Sequence, residues 1–326
     1  MATKYVQMLN GKQMPMVGLG TLQSPPDQLK AAIKKAIDIG YRLIDTAWVY
    51  GNEEVIGDTL SEVFASGKIK REDLFLTTKL HVQYLHREDV VPSLKDSLKK
   101  LKMDYVDLFL IHAPIAVAKD PKEIFPMTPE GKPKLENVDL TSTWKGMEEC
   151  YNLGLAKSIG VSNFNSKQIK RIWDSATVKP VNLQVECNVF WKQQKLHDFV
   201  KKLGMTMTAY SPLGAPARFE NKLLPEGMRT KTGQPPTLLQ DATVGEIAKR
   251  HNVTISQVCL RYLVQRGICV IPKSVNPERL KTNFDICGFE LTADEMKTLN
   301  EHPIEIKGYR IDNMSDHPEY PFNEEF

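Results

Sequence analysis

Short apolar runs alternate with amphipathic stretches along most of the chain, and this rhythm predicts the architecture. The apolar runs are Met16–Gly20, Leu43–Ala47, Leu74–Leu80, Val106–His112, Ala156–Val161, Val181–Cys187, Met205–Tyr210 and Ile268–Lys273. Between them lie patterns with helical spacing, among them Asp27–Ile39, Glu54–Phe64, Val91–Leu101, Leu140–Leu153 and Pro277–Ile286. Strand-like runs interleaved with helices predict a parallel sheet, and runs as uniformly apolar as Val106–His112 predict strands buried on both faces. Eight such strands are the number that closes a barrel, so the expected fold is an α/β (β/α)8 TIM barrel. Ahead of the first run, two short alternating segments flank Asn10-Gly11 and predict a β-hairpin closing the bottom of that barrel.

The main competitor is a doubly wound sheet carrying a dinucleotide on a glycine-rich turn. Here the first turn reads Gly18-Leu19-Gly20-Thr21-Leu22-Gln23, lacks the third glycine and runs into Ser24-Pro25-Pro26, which weighs against it. Three segments break the rhythm: Ala113–Asp139, Pro212–Gln240 and the tail from Glu301 to Phe326. Long loops are usually functional. Two of these follow strand C-termini, the face on which barrel enzymes build their sites. The expectation is that all three wall a pocket, plain surface decoration being the alternative.

Composition narrows the function class. A chain of 326 residues is long enough for two domains, but barrels of this size form one, so a single domain over 1–326 is expected. The net charge of +3 comes without a basic, aromatic-interleaved face, which argues against nucleic acid while leaving room for an anion pocket. The start MATKYVQMLNGKQ has no apolar signal core, and no apolar stretch is long enough for a membrane span. Five scattered cysteines form no C-x-x-C pair, so free thiols, a reducing compartment and a cytoplasmic location are expected. Nothing suggests an obligate interface, and a monomer is expected.

The ends of consecutive runs carry the candidate chemistry. Asp45 and, just beyond, Tyr50 end the second, Lys79 the third and His112 the fourth. Each alone would read as a solvated group or a structural ion pair; four on neighbouring strand ends point to a site. Adding hydride to a carbonyl builds negative charge on oxygen, which must be stabilised and protonated. A phenol with its ordinary pKa of about 10 is a proton donor at neutral pH, and a neighbouring ammonium such as Lys79 eases the release. Asp45 would hold that ammonium, and His112 would orient the carbonyl oxygen. A hydride source must come from outside the chain.

A second constellation suits a nicotinamide cofactor. Ser162 and Asn163 follow the fifth run, Asn182 and Gln184 lie in the sixth, and Tyr210 and Ser211 end the seventh. The carboxamides of Asn163 and Gln184 match the donor and acceptor of a nicotinamide amide, and Tyr210 offers a ring for stacking. Lys273 and Ser274 precede a helix starting near Pro277, whose N-terminal N–H groups and dipole favour phosphate, with Arg279 as a further contact. These cations favour a 2′-phosphate and hence NADPH; solvated helix-start charges are the competing reading.

At these residues the sequence resembles the aldo-keto reductases. GYRLIDTAWVYGNEEVIG, LAKSIGVSNF and IPKSVNPERLKTN look like the family's three signature regions, in order. The resemblance implies a catalytic tetrad of Asp45, Tyr50, Lys79 and His112, with Tyr50 as general acid. It implies NADPH contacts from Ser162, Asn163, Gln184, Tyr210, Ser211, Leu213, Lys273, Ser274, Arg279 and Asn283, and no metal. Aldose-reductase-like members carry tryptophans around the pocket where this chain has Leu22, His81 and Ala113, while Trp48 stands two before Tyr50. With His112, these residues would line a wider substrate pocket. The segment DLTSTWKGMEECYNLGLAKSIGVSNFN and the tail HPEYPFNEEF resemble the hydroxysteroid dehydrogenase branch, including insect members acting on 3-dehydroecdysteroids. A steroid-like ketone is therefore implied as substrate, with general aldehyde reduction as the alternative. A glutamate common in the family is replaced by Thr282, which implies weaker retention of NADPH.

Other classes predict different signals. Gly160-Val161-Ser162-Asn163-Phe164 lacks the last glycine of a G-x-S-x-G hydrolase turn. His81, His86 and His112 have no H-E-x-x-H spacing for a metal hydrolase. Lys79 at a strand end would suit a Schiff-base aldolase. Some relatives serve as structural or binding barrels, against which the intact tetrad argues.

Overall fold

The computed structural model describes residues 4–214, 237–309, 311–324 and 326. Most of the segment Pro212–Gln240, expected to wall the pocket, therefore lies outside the described residues. An antiparallel pair, β1 (Tyr5–Gln7) and β2 (Gln13–Pro15), comes first. Eight parallel strands follow: β3 (Leu19–Gly20), β4 (Leu43–Asp45), β5 (Phe75–Leu80), β6 (Leu108–Ile111), β9 (Ile159–Ser162), β10 (Asn182–Glu186), β11 (Thr206–Tyr210) and β12 (Cys269–Val270). They pair in sequence order, and the sheet closes on itself where β3 meets β12. The seam is tied by Val270 N–H to Met16 O at 2.8 Å, Gly18 N–H to Val270 O at 2.8 Å and Gly20 N–H to Pro272 O at 3.3 Å.

The seam explains the paired glycines. A Cβ on Gly18 would lie 1.6 Å from Leu43 Cδ2, and one on Gly20 would lie 2.7 Å from the Ile271 carbonyl oxygen. Gly18 and Gly20 thus serve strand closure, where a side chain has no room, and not a dinucleotide turn.

The hairpin turns through Gly11 at φ +80°, with Met8 N–H bonded to Lys12 O. Its Met14 is buried with its sulfur 3.9 Å from Asn182 Nδ2, at the first residue of β10, so the hairpin plugs the N-terminal end of the barrel. The excursion after β6 is more ordered than a plain loop: β7 (Ala116–Val117) pairs antiparallel with β8 (Leu135–Glu136). A second apolar cluster gathers there, with Val82, Ala113, Ile115 and Val117 against Met314 and Tyr320 of the tail. All five cysteines are free; four are buried, and burial pushes the thiols of Cys150, Cys187 and Cys269 up to about 12, 11 and 12. Among the described residues no helix is long and apolar enough to cross a membrane.

Candidate active site

Three consecutive strand ends deliver four ionisable groups to one place, the C-terminal mouth. Lys79, on β5, is almost wholly buried, and its ammonium donates to Asp45 Oδ1 at 2.5 Å and Thr46 O at 2.8 Å. Its third contact is Tyr50 Oη at 3.5 Å. Burial opposes the Lys79 charge, but Asp45 and Tyr50 outweigh it and hold the ammonium above its ordinary pKa. The other oxygen of Asp45 accepts from Gln184 Nε2 at 2.7 Å, across the barrel.

Tyr50 sits on a short 3-10 turn, Trp48–Tyr50, directly after β4. Its ring meets His112 edge-on, centroids 5.7 Å apart at 72°. Desolvation and the nearby Lys79 charge push the His112 pKa well below its usual value. His112 is therefore neutral at physiological pH and carries one N–H available to an oxygen.

The cofactor candidates adjoin this group. Ser162 ends β9, and Asn163 follows at φ +62°, in the left-handed region. Asn163 Nδ2 donates to the His112 carbonyl at 2.9 Å, and its Oδ1 accepts from Tyr210 Oη at 2.7 Å. Both carboxamides thus also make hydrogen bonds inside the protein, which fix their orientation. Gln184 commits one N–H to Asp45, which leaves its second N–H as a donor and its Oε1 as an acceptor. Ser211 stands at φ +48° in the turn after β11, its carbonyl accepting from Asn188 Nδ2, and Leu213 packs against the core.

At the seam, Lys273 pairs by backbone with Gly20 and is exposed, Ser274 and Asn283 are buried, and Arg279 is exposed on the helix Pro277–Phe284. The expected bank of free N–H groups at this helix start is mostly absent. Pro277 has none, and Asn276 caps the helix by accepting from Arg279 N at 3.0 Å. Side chains must therefore supply most of any phosphate contact. Desolvation and the Arg279 charge both lower the Lys273 pKa, a pairing of like charges that an anion would relieve.

Around the mouth, Leu22 and Trp48 are half-buried, and Ala113 belongs to the second apolar cluster. His81 is buried, bonds Ile124 O through Nε2 at 2.9 Å, and is driven by burial down to about 4, hence neutral. It stacks on Trp48 at 5.1 Å and 18°. The tail closes one side: Glu186, at the end of β10, accepts from Gly308 N–H at 3.2 Å and Tyr309 N–H at 2.6 Å, and Tyr309 packs edge-on against Tyr210.

Sequence reasoning missed several supporting residues. Asn52 accepts from Thr46 Oγ1 and donates to Thr21 O, both at 2.9 Å, locking the turn that bears Tyr50. Glu186 and the Asp96 partner of Trp48 were not singled out either. Asn52 and Glu186 are polar groups at the ends of apolar runs, the signal that found Asp45; Asp96 reads as one charge among many on a helix.

Comparison with known proteins agrees with this fold. The aldo/keto reductase family matches residues 14–304. The chain is 40% identical over 332 residues to aldo-keto reductase family 1 member A1 of Gallus gallus, covering 99% of this chain and 98% of the relative. It is 42% identical over 329 residues to family 1 member C15 of Rattus norvegicus, again covering 99% and 98%. Among solved structures, the aldose reductase of Schistosoma japonicum superposes with a TM-score of 0.90 at 40% identity, covering 99% of this chain and 100% of that one. The Bombyx mori aldo-keto reductase, solved in complex with NADP, superposes at 0.86 with 38% identity, covering 98% and 99%. The chain belongs to the aldo/keto reductase family. It is an NADP(H)-dependent oxidoreductase of (β/α)8 barrel fold.

Proposed function

We propose that this barrel, acting as one domain over 1–326, reduces carbonyl compounds with NADPH, Tyr50 being the general acid. The observation that carries the reading is the buried chain Gln184–Asp45–Lys79–Tyr50 ending beside a neutral His112. Bound NADPH supplies the hydride. Tyr50 gives its phenolic proton to the carbonyl oxygen, and Lys79 stabilises the phenolate left behind while Asp45 holds the ammonium in place. His112 donates its N–H to the same oxygen and orients it. Ser162, Asn163, Gln184 and Tyr210 hold the nicotinamide end. Ser211, Leu213, Lys273, Ser274, Arg279 and Asn283 hold the phosphate and adenosine end, where two clustered cations suit a 2′-phosphate.

The substrate in this reading is a ketone on a broad apolar frame, of steroid type. Leu22, Trp48, His81, His112 and Ala113 would line its pocket. Support comes from small Ala113, from Leu22 and from an apolar cluster shared with the tail. In the same reading the enzyme is a cytoplasmic monomer, a reducing milieu suiting five free thiols.

Two measurements test this. Tyr50→Phe should keep NADPH binding and lose turnover by about 100- to 10,000-fold, since only the proton donor is removed; unchanged rates would overturn the assignment. Following NADPH absorbance against steroid ketones, sugars, aliphatic aldehydes and aromatic aldehydes in parallel should give the highest kcat/KM for steroid ketones. A preference for small aldehydes would replace that substrate with general aldehyde reduction.

A further inference from the structure

The turn that carries Tyr50 is a weak element held from outside the barrel. It is closed by two backbone bonds, Tyr50 N–H to Ala47 O at 3.0 Å and Gly51 N–H to Trp48 O at 3.3 Å. Short 3-10 turns have poor hydrogen-bond geometry and depend on their surroundings. The Tyr50–Lys79 contact of 3.5 Å is already at the limit of a hydrogen bond, so a small displacement decides whether it exists.

Trp48, the first residue of the turn, is half-buried and held by several neighbours. Its ring stacks on His81 and meets Tyr84 edge-on at 5.2 Å, and the Lys100 ammonium lies 4.9 Å from its centroid. Its indole N–H donates to Asp96 Oδ2 at 2.8 Å, and Lys100 donates to that same oxygen at 2.6 Å. Asp96 and Lys100 lie on the helix Arg87–Leu101, with no direct contact to Asp45, Tyr50, Lys79 or His112 among the described hydrogen bonds. An exposed carboxylate with one lysine four residues away is an ordinary helix pair, as in Asp174 with Lys170 four residues before it. Asp96 differs in also receiving a donor from the catalytic turn.

We propose that Asp96 and Lys100 are positioning residues for proton donation: they lock the Trp48 indole and so hold the Trp48–Tyr50 turn with the phenol within reach of Lys79. The inference rests on Tyr50 being the proton donor. Partial burial opposes ionisation of Asp96, but the bonds from Lys100 and Trp48 hold its carboxyl below the usual range, so the anchor is charged at working pH.

The test uses the full-length enzyme with NADPH and an aromatic aldehyde, 4-nitrobenzaldehyde, as probe. Asp96→Leu should lower kcat by about 10-fold, since sub-ångström misplacement of a reacting group costs rate steeply. The Kd for NADPH should stay unchanged, and the solvent deuterium isotope effect on kcat should rise as proton transfer becomes slower. Asp96→Asn should restore most of the rate, because its carboxamide oxygen still accepts the indole N–H. Trp48→Phe should reproduce the Asp96→Leu loss, and the double variant should be no slower than either single one. Asp174→Asn, in an ordinary helix pair, should match wild type. Additive losses, or an Asp96→Leu rate equal to wild type while Tyr50→Phe is inactive, would overturn the positioning role and leave the reductase reading standing. An active Tyr50→Phe would take down both.

Discussion

At the bottom of the barrel, Asn182 points inward beneath the hairpin, on the same face of β10 as Gln184 two residues on. Its amide nitrogen donates to Thr206 Oγ1 and Thr208 Oγ1, both at 2.9 Å, and the Thr206 hydroxyl donates onward to Val181 O at 3.0 Å. Every member is neutral and buried, and the cluster ends within itself. At the mouth, Gln184, Asp45 and Lys79 are just as buried, but two of them are charged and their chain ends at Tyr50, which is half-exposed. A neutral, self-satisfied network contributes to stability. A buried ion pair gives little net stability, because desolvation consumes most of the attraction. The same strands thus seal one end and, at the other, hold charge where a reacting oxygen needs it.

The contrast breaks most visibly at Lys79. Lys79→Met should lower kcat by about 1,000-fold, the range expected when acid catalysis loses its support, while fluorescence titration still shows NADPH binding. A variant that keeps its rate would make the mouth a structural ion pair like any other.

Acid should also separate the two ends. Burial lowers the His81 pKa from 6.5 to about 4, so between those values the unfolded chain binds more protons than the folded one. The stability tied to a neutral His81 is fully present above about pH 6.5 and is lost as pH falls toward 4, up to about 3 kcal/mol. His81→Gln keeps a donor for Ile124 O and cannot titrate. Urea midpoints at pH 7 and pH 4.5 should therefore differ less in this variant than in wild type; an equal drop would mean that His81 is not the group being forced to charge. Asn182→Leu at the bottom should do the opposite. It strands Thr208, lowers stability by about 2 kcal/mol at neutral pH, and leaves kcat per folded molecule unchanged.

Only the mouth's half of this contrast is legible in the sequence, where Asn182 reads as a cofactor residue beside Gln184 while the structure seals it under the hairpin. The barrel strands were legible because burial on both faces makes them uniformly apolar, so the run Leu74–Leu80 lands on β5 almost residue for residue. The termini of the barrel were less so: β3 and β12 are only two residues each, and glycines at the seam carry no side-chain pattern. Helices such as Ser166–Ser175, Ile255–Gln265 and Ala293–Asn300 were not singled out, although Asn165-x-x-Gln168, Thr254-x-x-Gln257 and Thr292-x-x-Glu295 are capping boxes visible in the sequence. The four ionisable groups at three strand ends are legible because they interrupt or directly follow apolar runs. What they bond to is not. Gln184 meets Asp45 across 139 residues, and Glu186 grips a tail more than 120 residues away, contacts that only the closed topology creates. Asn276, standing directly before Pro277, is legible as a cap that already occupies the helix start.

That occupied helix start gives the smallest effect and the sharpest test of the cofactor end. With Arg279 N–H taken by Asn276, a 2′-phosphate has to be held by side chains, and the like charges of Lys273 and Arg279 are already in tension without it. Lys273→Met removes one of two cations at an exposed position, where a charge-assisted hydrogen bond is worth about 1.5 kcal/mol. The Kd for NADPH should rise about 10-fold, the equilibrium equivalent of that energy. NADH, which lacks the 2′-phosphate, should bind the variant and the wild type alike. Equal weakening of both cofactors would instead place Lys273 on the shared pyrophosphate or adenosine, and the preference for NADPH would then have to come from Arg279.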